Sequence, residues 1–198
     1  MALACDPVMD ANIEDTLLAA VHRGMDSGDL RVLGLVTSWL ERHHAWINAD
    51  RIIHYVHGMT SPRAAAFWIS RAQSWATDIR WRRLRQSPPE PLDLLPVGTA
   101  FHLERKGEDP RFQGTALRIP MGTLRDRPGD VESAAVIARR HRAFHWRILV
   151  GPSFRADCLA LAEAHPEYTA SELARKTYAS FATAWGVIRD LRLLAGTG

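Results

Sequence analysis

Nine histidines and a scatter of serines, aspartates and glutamates give this chain of 198 residues side chains for proton transfer or metal ligation. Their spacing narrows that chemistry. His141 and His145 stand four apart, which on a helix places both on one face. Between them lie Arg142, Ala143 and Phe144, without the glutamate of the zinc-protease pattern, and the nearby arginines oppose a cation. His43 with His44, and His54 with His57, have no carboxylate cluster beside them in sequence. No Gly-x-Ser-x-Gly elbow, phosphate loop or dinucleotide fingerprint occurs. Glu108, Asp109, Arg111, Gln113 and Arg118 could form a polar site, but an ordinary charged hairpin is the preferred reading. The sequence therefore assigns no catalytic residue, no metal ligand and no cofactor.

The cations point elsewhere. The formal charge is +3 with a pI of about 9.2, and only Lys106 and Lys176 are lysines. Arginine forks suit phosphate and guanine, although a codon bias toward arginine is the simpler cause of the enrichment. Arg80, Arg82, Arg83 and Arg85 surround Trp81 and Leu84 and form a candidate second phosphate-tracking patch. A solvated helix face with Trp81 and Leu84 inward is the preferred alternative. The run Arg139-Arg140-His141-Arg142 is weighed the same way.

The elements that position these residues are mostly helical. Ile13, Leu17, Leu18 and Val21 fall at helical spacing behind an Asn12 cap, and Gly24 and Gly28 bracket a break. A second helix runs from Asp29 to His43, a third starts near Asn48 or Asp50, and a fourth at Ser61-Pro62. Residues 1–86 are expected as a helical bundle for dimerisation or partner binding. Residues 87–96 are rich in proline and read as a linker. Residues 97–150 read as an α+β middle region. It has strands at Thr99–Glu104 and Phe112–Ile119 making a small hairpin, and an Asp130-capped helix running to Ala143. His145–Val150 is ambiguous between strand and helix. The tryptophans Trp39, Trp68 and Trp75 sit on helical stripes as core anchors. The fold class is mainly α. Cys5 and Cys158 lie far apart, and no apolar run reaches signal-peptide or membrane-span length, so a soluble protein of the reducing cytoplasm is expected.

Residues 151–198 carry the most specific pattern. Ser153 caps a helix containing Cys158, Leu159, Leu161 and Ala162, ended by His165-Pro166. Thr169 with Glu172 makes a capping box, Leu173 and Ala174 face inward, and Ser180 caps a last helix running to about Leu194. That helix carries two apolar stripes: Ala184, Val187, Leu191 and Leu194, or Phe181, Trp185, Ile188 and Arg192. The plainer alternative is a trihelical domain that never meets DNA.

Leu173, Ala174, Ala179, Ala184, Val187 and Leu191 resemble the core pattern of helix-turn-helix transcriptional regulators, and Ala179-Ser-Phe-Ala-Thr-Ala-Trp185 resembles their turn and recognition-helix start. The chain departs at Tyr178, where those families usually carry glycine at positive φ. The resemblance implies the first stripe as core. It turns Ser180, Phe181, Thr183, Gly186 and Arg189 toward double-stranded DNA, with Arg175 and Lys176 as backbone clamps. With the sequence ending at Gly198, no β-wing is expected after the last helix. The implied function is a sequence-specific transcriptional regulator or autorepressor, working as a homodimer because one recognition helix touches few bases. A weaker resemblance is to antitoxin repressors of the abortive-infection type, whose DNA-binding unit is N-terminal rather than C-terminal. A helical protein–protein adaptor and, less favoured, a nucleic-acid-processing enzyme are the alternatives.

Overall fold

A computed structural model describes residues 11–86 and 90–196. The chain is mainly helical, and no helix among the described residues is long and apolar enough to cross a membrane. It divides into two compact units. One comprises Thr16–Arg42 and Ala49–Val131, the other Met1–Asp15, His43–Asn48 and Glu132–Gly198.

In the first unit lie most of α1 (Ile13–Ser27) and α2 (Leu30–His43), with α3 (Ala49–His57) and α4 (Pro62–Ser74). Their starts follow local chemistry. The Asn12 carboxamide accepts from the Asp15 amide at 3.1 Å, Asp29 accepts from the Arg31 and Val32 amides, and Ser61 caps α4 ahead of Pro62. Gly24 does not break α1 as expected. A Cβ there would lie 2.7 Å from Leu33 Cγ, so the glycine serves close helix approach, and α1 ends at Gly28 with φ 67°. Phe67, Trp68, Trp81 and Phe112 are fully buried, and the Trp75 and Trp81 rings lie 4.7 Å apart.

The expected hairpin is absent. Thr99–Lys106 is a helix, α5, rather than a strand, bounded by Gly98 and Gly107 at positive φ. Leu103, Glu104, Arg105 and Lys106 are all good helix formers, and the Gly107 amide closes the last turn on the Leu103 carbonyl. Of Phe112–Ile119 only Leu117–Arg118 (β2) is a strand, and it pairs in parallel with Leu92–Asp93 (β1). The expected linker therefore contributes structure: Leu94 is buried, and Asp93 pairs with Arg118 at 2.7 Å. Pro88 and Pro89 lie outside the described residues.

In the second unit follow α6 (Ala134–Arg140), α7 (Arg142–Val150), α8 (Phe154–Ala164), α9 (Ala170–Thr177) and α10 (Phe181–Leu194). The single helix expected from Asp130 to Ala143 is two. Ser133 caps α6, and His141 interrupts with extended backbone. Its imidazole Nδ1 accepts from the Phe144 amide and so caps α7. The ambiguous 145–150 stretch is helical.

Arg147 of α7 is fully buried. Its guanidinium bonds Glu14 at 2.6 and 2.7 Å, Asp157 at 2.8 to 3.0 Å and the Trp46 carbonyl at 3.2 Å. Burial opposes its charge, but the two carboxylates outweigh burial and raise its pKa above the ordinary value. Glu14 also accepts the Asn48 amide at 2.9 Å, so one ionic cluster ties together the three chain stretches of the unit.

Candidate nucleic-acid interface

Helices α8, α9 and α10 share a small core of Cys158, Leu159, Ala162, Leu173, Ala184 and Val187. Ala184 and Val187 are wholly buried, Leu191 and Ile188 are partly covered, and Leu194 is exposed. The last helix thus turns its Ala184–Val187 stripe inward. Phe181 and Trp185 stand outward at 57% and 51% exposure.

Each helix start is fixed by its own cap. Ser153 accepts from the Ala156 amide, and Thr169 and Glu172 bond each other's backbone amides reciprocally. Ser180 accepts from the Thr183 amide at 3.1 Å. Between α9 and α10 only Tyr178, Ala179 and Ser180 intervene. Tyr178 takes the left-handed conformation, φ 61° and ψ 17°, as the only non-glycine at positive φ among the described residues. A tyrosine occupies a backbone position that favours glycine. Its hydroxyl donates to Asp15 at 3.4 Å.

The expected site residues divide into two groups. Arg175, Lys176, Ser180, Phe181 and Arg189 are exposed, and Thr183 and Gly186 are partly covered. A Cβ added at Gly186 would meet open space. Arg189 is committed in part: its Nε and Nη2 donate to Asp190 at 3.1 and 2.8 Å, and its guanidinium lies 5.6 Å over the Trp185 ring. Asp190 also accepts from Arg155 at 2.8 Å, and hydrogen bonds from both arginines hold its carboxyl below the usual range. The Ser180 and Thr183 hydroxyls bond each other at 2.9 Å. Lys176 sits 5.2 Å over the Tyr168 ring, at the edge of a cavity of about 350 Å³ that also reaches Asn12, His165 and Thr177. Arg155, Asp190 and Trp185 were not assigned to the site from sequence. The adjacency of Arg189 to Asp190, and the four-residue step from Phe181 to Trp185 to Arg189, were the available signals.

Helices α9 and α10 carry four cations, Arg175, Lys176, Arg189 and Arg192, against Glu172 and Asp190. Both carboxylates are spent internally, Glu172 in its capping box and Asp190 between two arginines. Phe181, Trp185, Arg175, Lys176, Arg189 and Arg192 are all exposed, with Arg189 ion-paired to Asp190.

The other candidates have structural roles. Arg80 pairs with Asp78 at 2.5 Å, Arg83 pairs with Asp50, and Arg85 donates to the Ala72 and Trp75 carbonyls. Trp81 and Leu84 point inward, and Arg82 is exposed. Asp109 is buried and grips Arg111 at 2.7 and 2.9 Å. The side-chain hydrogen bond from Asp109 comes first among the causes that raise the Arg111 pKa. Besides capping α7, His141 bonds the Ala11 carbonyl. Among the described residues no group of three or more His, Cys, Asp or Glu could hold a metal. Comparison with protein-family models, with curated proteins and with solved structures finds no match to this chain.

Proposed function

We propose that this chain is a sequence-specific DNA-binding protein, a cytoplasmic transcriptional regulator or autorepressor that places α10 in the major groove. One observation carries the reading. The short Tyr178–Ser180 turn joins α9 to α10, and burial of Ala184 and Val187 leaves Phe181, Trp185 and Arg189 on the outward side of α10. In this reading Ser180, Phe181, Thr183, Gly186 and Arg189 face the groove, and Arg175 and Lys176 flank it against phosphates. The protein acts as a homodimer, since a single recognition helix spans too few base pairs for high specificity. An antitoxin is the narrower form of the same role.

The test is duplex binding by the full chain. Affinity for a random duplex pool should fall steeply between about 50 and 200 mM salt, and selection should return a palindromic site. Absence of duplex binding at the lower salt sinks the proposal. The exposed Phe181 and Trp185 favour one rival, a protein–protein adaptor, which predicts that absence.

A further inference from the structure

We propose that Phe181 and Trp185 read thymine methyl groups in the major groove, with Arg189 as the residue that positions Trp185. This rests on the duplex-binding reading above.

The polar groups of the outward face are largely committed. Ser180 caps its helix and its hydroxyl bonds Thr183, while Arg189 donates to Asp190 through Nε and Nη2. What the start of α10 offers a partner is mostly aromatic carbon, over half of Phe181 and half of Trp185 with its indole N–H, beside the small residues Ala182 and Gly186. The small residues let the helix backbone come close. Gly186 has open space where a side chain would project, so nothing on its own chain fills that approach.

The partner's chemistry follows from charge and from the groove. Arg175 and Lys176, exposed at the end of the preceding helix, suit a polyanion. In the major groove the base edges present hydrogen-bonding groups, and the thymine C5-methyl is the one apolar group among them. The Phe181 ring and the carbon edge of the Trp185 indole therefore suit a thymine methyl, while the indole Nε1–H is the one donor the ring pair adds. Phe181 and Trp185 are one helical turn apart, about 6 Å along the axis. That matches roughly two base steps of about 3.4 Å, so the two methyls belong to thymines about two steps apart. Arg189 over the indole, itself anchored by Asp190 and Arg155, holds the Trp185 ring in place.

The experiment uses the full-length chain and the duplex it enriches from a random pool, resynthesised with deoxyuridine replacing thymine at one position at a time. This removes only the methyl. Two positions about two steps apart should each lose about fourfold in affinity, the worth of one buried methyl group. Trp185→Ala, with its helicity checked by circular dichroism, should bind the thymine and uracil duplexes equally at one of those positions. Arg189→Ala should shrink the thymine-to-uracil ratio there, and Arg189→Lys, which keeps a cation over the ring, should restore it. Salt-sensitive duplex binding that is indifferent to every uracil replacement, or that enriches no site, overturns this inference and leaves duplex binding standing. No duplex binding at all overturns both.

Discussion

The guanidinium of Arg147 grips the Asp157 carboxylate through both Nε and Nη2, with neither side chain more than 5% exposed. Glu14, also buried, holds the opposite edge of the same guanidinium. Two carboxylates in a dry interior are tolerable only while that cation stands between them. Arg147→Ala should therefore destabilise the protein by about 3–5 kcal/mol in denaturant titrations. Arg147→Lys should recover little, because one ammonium cannot reproduce the fork that reaches both acids. A loss under about 1 kcal/mol for Arg147→Ala would show that the cluster is solvated.

Tyr178 sits at φ 61° in the turn between α9 and α10. A side chain in that conformation costs about 1–2 kcal/mol that glycine does not incur. Against this stands glycine's larger loss of backbone freedom on folding and the long 3.4 Å contact to Asp15. Tyr178→Gly should leave stability unchanged or raise it by about 1 kcal/mol, and Tyr178→Val should lower it by about 1 kcal/mol or more, read as shifts in Tm. Equal melting of the valine variant and the parent would mean that the turn does not hold the left-handed conformation.

The helix starts were legible because a cap is a local event. Asn12, Ser61, Ser153, Thr169 and Ser180 each accept the amide that their sequence position implies. The choice between the two stripes of α10 was not local. Phe181 and Trp185 are the more hydrophobic in bulk, yet Ala184 and Val187 are buried, because small side chains let α10 lie close against α8 and α9. Phe101 and Leu103 alternate with polar residues and so read as a strand over Thr99–Glu104, while Gly98 and Gly107, which bound the helix, act through backbone conformation alone. Arg147 left no sequence signal. Its partners lie 133 and 10 residues away, and a lone arginine among apolar neighbours is indistinguishable from a surface one.

Cys158 supplies a chemical probe of the α8–α9 contact. Its thiol is buried 3.2 Å from the Thr177 hydroxyl, which itself donates to the Leu173 carbonyl, so the thiol is the donor in that pair. Burial pushes the thiol pKa up. The folded chain thus holds its proton more tightly than the unfolded one, and stability should fall as pH climbs past the ordinary thiol value. In a Cys5→Ser background, iodoacetamide at pH 8 should label the folded protein far more slowly than the urea-unfolded protein. Equal rates would place Cys158 outside a closed core.

Arg175 and Lys176 end α9 and differ in commitment, Arg175 exposed without an ion pair shorter than 4 Å among the described residues and Lys176 over the Tyr168 ring. If both neutralise phosphates, each releases counterions, and the log–log salt slope of duplex binding should flatten by about one for each alanine substitution. The loss should be uniform across sequences, because phosphates carry no base identity. Lys176→Ala should also free the Tyr168 ring and widen the adjoining cavity, whereas Arg175→Ala touches neither. A slope change for Arg175→Ala alone would place Lys176 with the cavity rather than with the DNA. An unchanged slope for both would remove the end of α9 from the interface.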